Sequence, residues 1–281
     1  MRSPTARASA DSSNSPVVSR SSGDVPRFAR PTLRAWFAGH APLHPDGPPV
    51  LLWPDTFTNH FEPEVGIAAV GILEAAGHRV LLPERPLCCG RPLYDYGMLT
   101  LARRYLRRVL AGIRTELADG VPVIDLEPSC LAVFREELTN LFPDDADARR
   151  LATQSVVLSE FLTEKADWSL PRLNRRAVVQ PHCHHQAVIG FDAEQSVLQG
   201  MGLDVEVPDS GCCGMAGSFG YEAGQKYDVS TAAGERAAAR GARCRCRHAD
   251  HRGRVQLPHP DRRGQRTHRA SSRAGPRPGP T

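Results

Sequence analysis

The chain has 281 residues, of which 41% are hydrophobic and 23% charged, enough for one large domain or two small ones around a packed core. No apolar run approaches the ~20 residues that a membrane helix needs, and no charged segment followed by an apolar stretch opens the chain, so neither a span nor a secretory signal is expected. Eight cysteines are too sparse for a disulfide scaffold. In the cytoplasmic, reducing setting that this implies, they need another reason, which is metal binding, redox chemistry or ordinary burial.

The net charge of +4 hides two unlike parts. Residues 241–281 carry eleven arginines, no lysine and only Asp250 and Asp261 as acids, a charge of +9 that leaves −5 on residues 1–240. Residues 1–30, rich in Ser and Arg with the acids Asp11 and Asp24, read as disordered; a targeting peptide or a misplaced start shares this composition. Residues 31–48 read as a linker. From Val50 the chain turns globular, and Val50-Leu51-Leu52-Trp53 predicts a short buried strand. Pro63 opens a helix with Val65, Ala68, Ile72 and Ala76 inward and Gly77 as its stop. Arg79 to Leu82 predicts a second strand, and a loop with Cys88-Cys89-Gly90 follows. Leu101, Tyr105, Leu106, Val109, Ile113 and Leu117 mark a long helix. Val121 to Leu126 predicts a third strand, ending at Glu127-Pro128-Ser129-Cys130, and helices are expected over 131–141 and 146–165.

The pattern then starts again. Ala177 to Gln180 predicts a strand ending at Pro181-His182-Cys183-His184-His185. A helix follows over about 186–201, then a strand from Leu203 to Val207, a loop with Cys212-Cys213-Gly214, and a helix over about 222–238. Strands alternating with helices predict an α/β fold with parallel sheets. The two stretches, 49–168 and a shorter 175–238, align as an internal pseudo-symmetric βαβ-type repeat. Pro54-Asp55-Thr56 matches Pro181-His182-Cys183, and Cys88-Cys89-Gly90 matches Cys212-Cys213-Gly214. Thr56 to Cys88 spans 32 positions and Cys183 to Cys212 spans 29.

In the first repeat a strand ends at Cys130, 41 positions after Cys89, whereas the second offers no matching cysteine before the periodicity stops near residue 239. Residues 239–281 have the composition of a GC-rich gene read out of frame. Shifting a GC-rich back-translation from Cys244 by one base yields the strand-like run TTVAGFSC, with its cysteine near Leu257 and Pro258. The tail is therefore expected to be a frameshift product, and Cys244 and Cys246 accidental. A genuine Arg-rich arm that binds nucleic acid or anionic lipid is the competing reading, but no aromatic follows Tyr227, so base stacking is not on offer.

In an open α/β sheet, sites form at the carboxyl ends of the strands. Cys88, Cys89 and Cys130 come from such positions in the first repeat, and Cys183, Cys212 and Cys213 in the second. Adjacent cysteines strain a mutual disulfide, yet both can face one polynuclear centre. Gly90 and Gly214 allow close backbone approach and N–H donation to sulfur. Thiolates suit iron–sulfur clusters and zinc alike, and His184 adds an imidazole that keeps zinc or mixed ligation open. His185 reads as a helix cap, and His44, His60 and His78 as ordinary loop or surface histidines. Tyr94, Tyr96, Phe219 and Tyr221 flank the loops and either shield a centre or simply pack.

These segments, PLCCGRPLYDYGML, EPSC, PHCHH and GCCGMAGSFGYE, resemble the cysteine-rich CCG domain family over about residues 26–238. Heterodisulfide reductase B and glycolate oxidase iron–sulfur subunits belong to that type. The wording DTFTNHFEPEVG is similar to the C-terminal part of flavin-linked, iron–sulfur D-lactate (D-2-hydroxyacid) dehydrogenases. The resemblance implies electron transfer through an iron–sulfur cluster of the [4Fe–4S] kind, with zinc at one site in some members. It implies Cys88, Cys89, Cys130, Cys183, Cys212 and Cys213 as ligands. It also implies FAD on a separate oxidase domain or subunit, a ferredoxin-like partner, and peripheral membrane association through those partners. Thr56 stands where some relatives carry a cysteine. Nothing in the chain resembles a flavin domain, so it is not expected to oxidise a hydroxy acid alone.

Overall fold

The computed structural model describes residues 27–164, 169–209, 211, 213–217 and 219–241. Four parallel strands, β1 (Pro49–Trp53), β2 (Arg79–Leu81), β3 (Val123–Asp125) and β4 (Ser155–Val157), form a sheet in the order β2-β1-β3-β4. Before the sheet, Thr32 accepts the Ala35 N–H to cap a short helix, α1 (Leu33–Phe37), inside the stretch read as a linker. Helices α2 (Thr56–His60) and α3 (Pro63–Ala75) join β1 to β2. The next crossover holds α4 (Arg91–Asp95), α5 (Leu99–Gly112) and α6 (Arg114–Ala118). The third runs α7 (Pro128–Ala132), a π-helical turn (Val133–Glu137), α8 (Leu138–Leu141) and α9 (Ala146–Gln154), and α10 (Leu158–Thr163) follows β4. In the second repeat, β5 (Arg176–Val178) and β6 (Asp204–Glu206) pair in parallel across a π-helical turn (His185–Ile189) and α11 (Asp192–Gly200). The last described helix is α12 (Gln225–Gly241).

Both faces of the four-stranded sheet are buried, as a parallel sheet requires. Alternate strand residues feed two cores. Leu51, Trp53 and Val123 face α5 and the α7–α8 segment, where Trp53 meets Phe134 edge-on at 4.9 Å between ring centroids. Val50, Leu52, Val80 and Ile124 face Leu33, α3 and Phe161. That second core continues into Val179, Val197, Leu198, Met201 and Leu203, so the second repeat packs on the first through apolar contact.

Three expectations change. The inward face of α3 is Gly66, Ala69, Val70 and Leu73, while Val65 and Ala68 are exposed. Gly66 explains the choice, since a Cβ there would sit 2.4 Å from Cδ2 of the fully buried Leu33. The helix expected over 146–165 is interrupted by β4, whose three residues pair with β3 from Val123↔Ser155 to Asp125↔Val157. The long helix expected from Leu101 to Leu117 divides into α5 and α6 at Ile113; Leu106, Val109, Ile113 and Leu117 are buried as expected, but Leu101 is exposed.

Strand order reverses between β1 and β3, the position where open α/β sheets place their sites. Residues 242–281, including Cys244 and Cys246, lie outside the described residues, as does Cys212. Among the described residues, no helix is long and apolar enough to cross a membrane.

Candidate metal-binding site

Cys88, Cys89 and Cys130 come together at the carboxyl ends of β2 and β3. Pro128 opens α7, and Glu127 caps it by accepting the Ser129 N–H at 3.2 Å and the Ser129 hydroxyl at 2.9 Å. This cap turns Cys130 into the interior. Gly90 takes a left-handed φ of 80° that a side chain resists, and its N–H donates to Cys88 Sγ at 3.5 Å. The two loops are tied by Arg91, whose guanidinium donates to the Ser129 carbonyl at 3.4 Å and pairs with Glu137 at 2.6 Å. Cys89 Sγ and Cys130 Sγ lie 3.1 Å apart, 5% and 7% exposed. Cys88 is half-buried, and none of the described cysteines is in a disulfide.

The surroundings hold these sulfurs protonated. Hydrogen bonding to Cys89, then burial, pushes the Cys88 thiol far up. Hydrogen bonding to Cys130 and burial do the same to Cys89. Cys130 is pulled down by the Cys89 thiol, but burial and the carboxylates of Asp55, Asp125 and Glu127 carry it to about 11. Asp125, at the end of β3, is fully buried, and neither of its carboxylate oxygens has a hydrogen-bond partner. Burial, then Asp55, pushes its carboxyl well above the usual carboxylate range. Three crowded thiols with little else to satisfy them suit a soft metal centre, which replaces their protons.

The second strand end is arranged differently. His182, Cys183 and His184 bring one candidate donor atom each within 4.8 Å of one another. The His184 N–H donates to His182 Nδ1 at 3.2 Å, and the two rings stack at 5.3 Å. His182 Nε2 lies 3.8 Å from Glu127 Oε1, which links the strand ends of the two repeats. The turn after it packs on α7. Burial first, then Arg91, holds the His184 imidazole below its ordinary range. Cys183 is exposed. His185, read as a cap, is instead buried edge-on against Phe191 at 5.3 Å.

Cys213, half-buried, is outside that cluster, on a loop held to the end of β5 by Gln180 donating to the Gly211 carbonyl at 3.0 Å. Gly214 repeats the left-handed turn of Gly90 with φ 89°. Tyr96 is 63% exposed and shields nothing. Sequence reasoning alone misses Arg91, Asp125, Glu127 and His182. Arg91 and Glu127 carry a signal, because each abuts a cysteine motif.

Fold and site together define an α/β protein with cysteine-rich strand ends. A family model for the cysteine-rich CCG domain matches residues 55–135. Lactate utilization protein A of Bacillus velezensis is 30% identical over 186 residues, covering 63% of this chain and 76% of that protein. The same protein of Geobacillus kaustophilus is 32% identical over 174 residues, 58% of this chain and 71% of it. A subunit of the anaerobic glycerol-3-phosphate dehydrogenase of Escherichia coli is 27% identical over 219 residues, 75% of this chain and 54% of that subunit. The chain belongs to the cysteine-rich CCG domain family. No solved structure matches it.

Proposed function

We propose that this chain is an iron–sulfur electron-transfer module of a flavin-linked dehydrogenase acting on D-lactate or a related 2-hydroxy acid. The observation that carries the reading is the gathering of Cys88, Cys89 and Cys130 at the strand ends beside the sheet's switch point. Similarity to lactate utilization protein A and to a dehydrogenase subunit supports it. A bound cluster, of the [4Fe–4S] kind, supplies one-electron chemistry. The protein's part is to hold three thiolates, to supply the Gly90 N–H to sulfur, and to keep water away with Trp53 and Phe134. Arg91 fixes the distance between the loops that bring Cys89 and Cys130 together.

Cys183, Cys212 and Cys213 form the second metal-binding set, in the repeat over 175–238. The flavin sits on a partner domain or subunit, and a ferredoxin-like partner relays electrons. Tyr96, Met98 and Leu99, exposed just beyond the Cys88 loop, give such a partner apolar surface to dock on. The module works in the cytoplasm, meeting a membrane only through its partners.

Anaerobic reconstitution of the full chain with iron and sulfide tests the reading. The expected result is bound iron with matching acid-labile sulfide and a paramagnetic signal on one-electron reduction, all lost in Cys89→Ser. Bound zinc without sulfide at these cysteines overturns it.

A further inference from the structure

Helix α5, LTLARRYLRRVLAG, carries four arginines within six residues, Arg103, Arg104, Arg107 and Arg108, and no acid. All four are exposed, while Ala102, Leu106, Val109 and Leu110 on its other side are buried. Arg103 faces Arg107 and Arg104 faces Arg108 at i,i+4, a spacing at which like charges repel and weaken a helix. Elsewhere the fold pairs its arginines, Arg91 with Glu137, Arg135 with Glu160 and Arg150 with Asp147. Among the described residues, none of the four on α5 pairs with a carboxylate. Three of these guanidiniums are nevertheless held in place. Arg103 and Arg107 lie over the Phe142 ring at 5.0 and 5.5 Å, and Arg108 lies over the Tyr105 ring at 5.6 Å. A ring face holds the guanidinium plane and leaves its N–H edge for an anion. Leu101 is exposed on the face that Arg104 and Arg108 share, and Met98 and Leu99 are exposed just before it. The charges thus border an apolar strip. The buried side of α5 packs in the core that holds Cys89, so the basic face lies one helix thickness, about 10 Å, from that thiol.

We infer that the exposed face of α5 docks an acidic partner protein, the carrier that exchanges electrons with the first site, through carboxylates set around an apolar centre. The inference rests on the electron-transfer reading and adds to it the chemistry of the partner and the charges that receive it. Preset guanidiniums beside an apolar strip are the make-up of a protein interface, with polar rim and apolar middle. A nucleic acid would leave Met98, Leu99 and Leu101 against a phosphate backbone. A bilayer would need the apolar side of α5, which the core already uses. Arginine forks accept carboxylates edge-on with two parallel hydrogen bonds, so they orient the carrier as well as attract it. Attraction of this kind speeds encounter more than it slows release, which suits a carrier that must come and go. The unrelieved repulsion along α5 is the cost of keeping those edges free.

The probe is a small acidic ferredoxin, titrated onto the full chain, both metal-free and reconstituted, at rising ionic strength. Binding is expected at about 0.01 M and should fade toward about 1 M, as the screening length shrinks from about 30 to about 3 Å. A basic cytochrome of similar size should not bind. Arg104→Glu should weaken the ferredoxin about tenfold at low ionic strength. The same variant should melt no lower than the unaltered chain, because it turns a repelling i,i+4 pair with Arg108 into an attracting one. Arg104→Lys keeps the charge and adds an amine to a chain whose only lysines are Lys165 and Lys226. A water-soluble carbodiimide should then join position 104 to a ferredoxin carboxylate as an amide, the reagent taking up the water released, and peptide mapping locates the bond. Unchanged affinity in Arg104→Glu overturns the inference, and so does binding through the Arg-rich tail alone, which every variant shares. Cross-links confined to Lys165 and Lys226, or equal binding of the cytochrome, overturn it too. Tighter binding of duplex DNA, or of vesicles of phosphatidylcholine and phosphatidylglycerol, that Arg104→Glu abolishes gives the face to another class of partner and also overturns it. Failure to take up iron and sulfide sinks the electron-transfer reading instead, since docking is read on the metal-free chain as well.

Discussion

At the end of β1 the chain reads Pro54-Asp55-Thr56, and at the end of β5 it reads Pro181-His182-Cys183. In the first repeat Asp55 is buried and caps α2, accepting the Phe57 and Thr58 N–H groups at 2.8 and 3.0 Å, while Thr56 points outward. In the second, the equivalent positions form a half-exposed donor cluster. Cys89 and Cys130 belong to the same buried core as Trp53 and Phe134, and Cys88 is half-buried, whereas Cys183 is open to solvent. One plan therefore yields two environments. Where the sheet has four strands and two covered faces, the strand end becomes core. Where two strands are described, it stays at the surface and collects polar donors.

Thiol alkylation of the metal-free protein reads this contrast most strongly. Cys183 should react at once, while Cys89 and Cys130 wait for an opening of the fold. Each 1.4 kcal/mol of opening free energy slows them tenfold, so a difference of about a thousandfold or more is expected by peptide mass spectrometry. Equal rates would mean that the first site is not sealed. Next in size is Trp53→Ala, which empties the first core and should cost about 3–5 kcal/mol in denaturant unfolding.

The paired glycines sharpen the comparison further. A Cβ on Gly214 would meet the Ser230 carbonyl at 2.3 Å, but one on Gly90 meets only ordinary contacts beginning at 3.5 Å. Both have left-handed φ, which alone costs about 1–2 kcal/mol for alanine. Gly90→Ala should lose about that much and Gly214→Ala distinctly more, because α12 has to shift. Similar melting temperatures for the two variants would break the asymmetry.

The smallest effect concerns Asp125. Its folded carboxyl keeps its proton at pH values where the unfolded chain has released it. The folded state thus binds the extra proton, so stability falls as pH rises above the ordinary carboxylate range. Asp125→Asn removes this slope, so its gain over the unaltered protein should grow as pH rises through and above the ordinary carboxylate range and vanish below it. A gain independent of pH would show that ionisation is not the cause.

Much of this architecture was legible in local pattern. Short runs such as Val50–Trp53 and Val123–Asp125 sit between clear breakers, and Pro63 marks a helix start that the structure keeps. The face of α3 was not legible because PEVGIAAVGILEA is apolar nearly all round. Leu33, arriving from a segment without periodicity, and Thr58 of α2 crowd the Gly66 side and select it. Ser155–Val157 was absorbed into a helical pattern because three residues are too few to show a period of two. At the site, the cysteine motifs announced themselves. Asp125 did not, since an acid in a strand carries no mark of burial, and His182 did not, since its partner Glu127 lies 55 positions away.

Residue order alone determined the strand–helix alternation, the internal repeat and which thiols stand at strand ends. These follow from periodicity and turn chemistry, which act over a few residues. Tertiary structure decided the rest: that Cys89 and Cys130 touch, that Arg91 clamps their loops, and that Glu127 reaches across to the second repeat. Those contacts depend on strand order and on which faces pack, and strand order places side by side residues that are 38 to 55 positions apart.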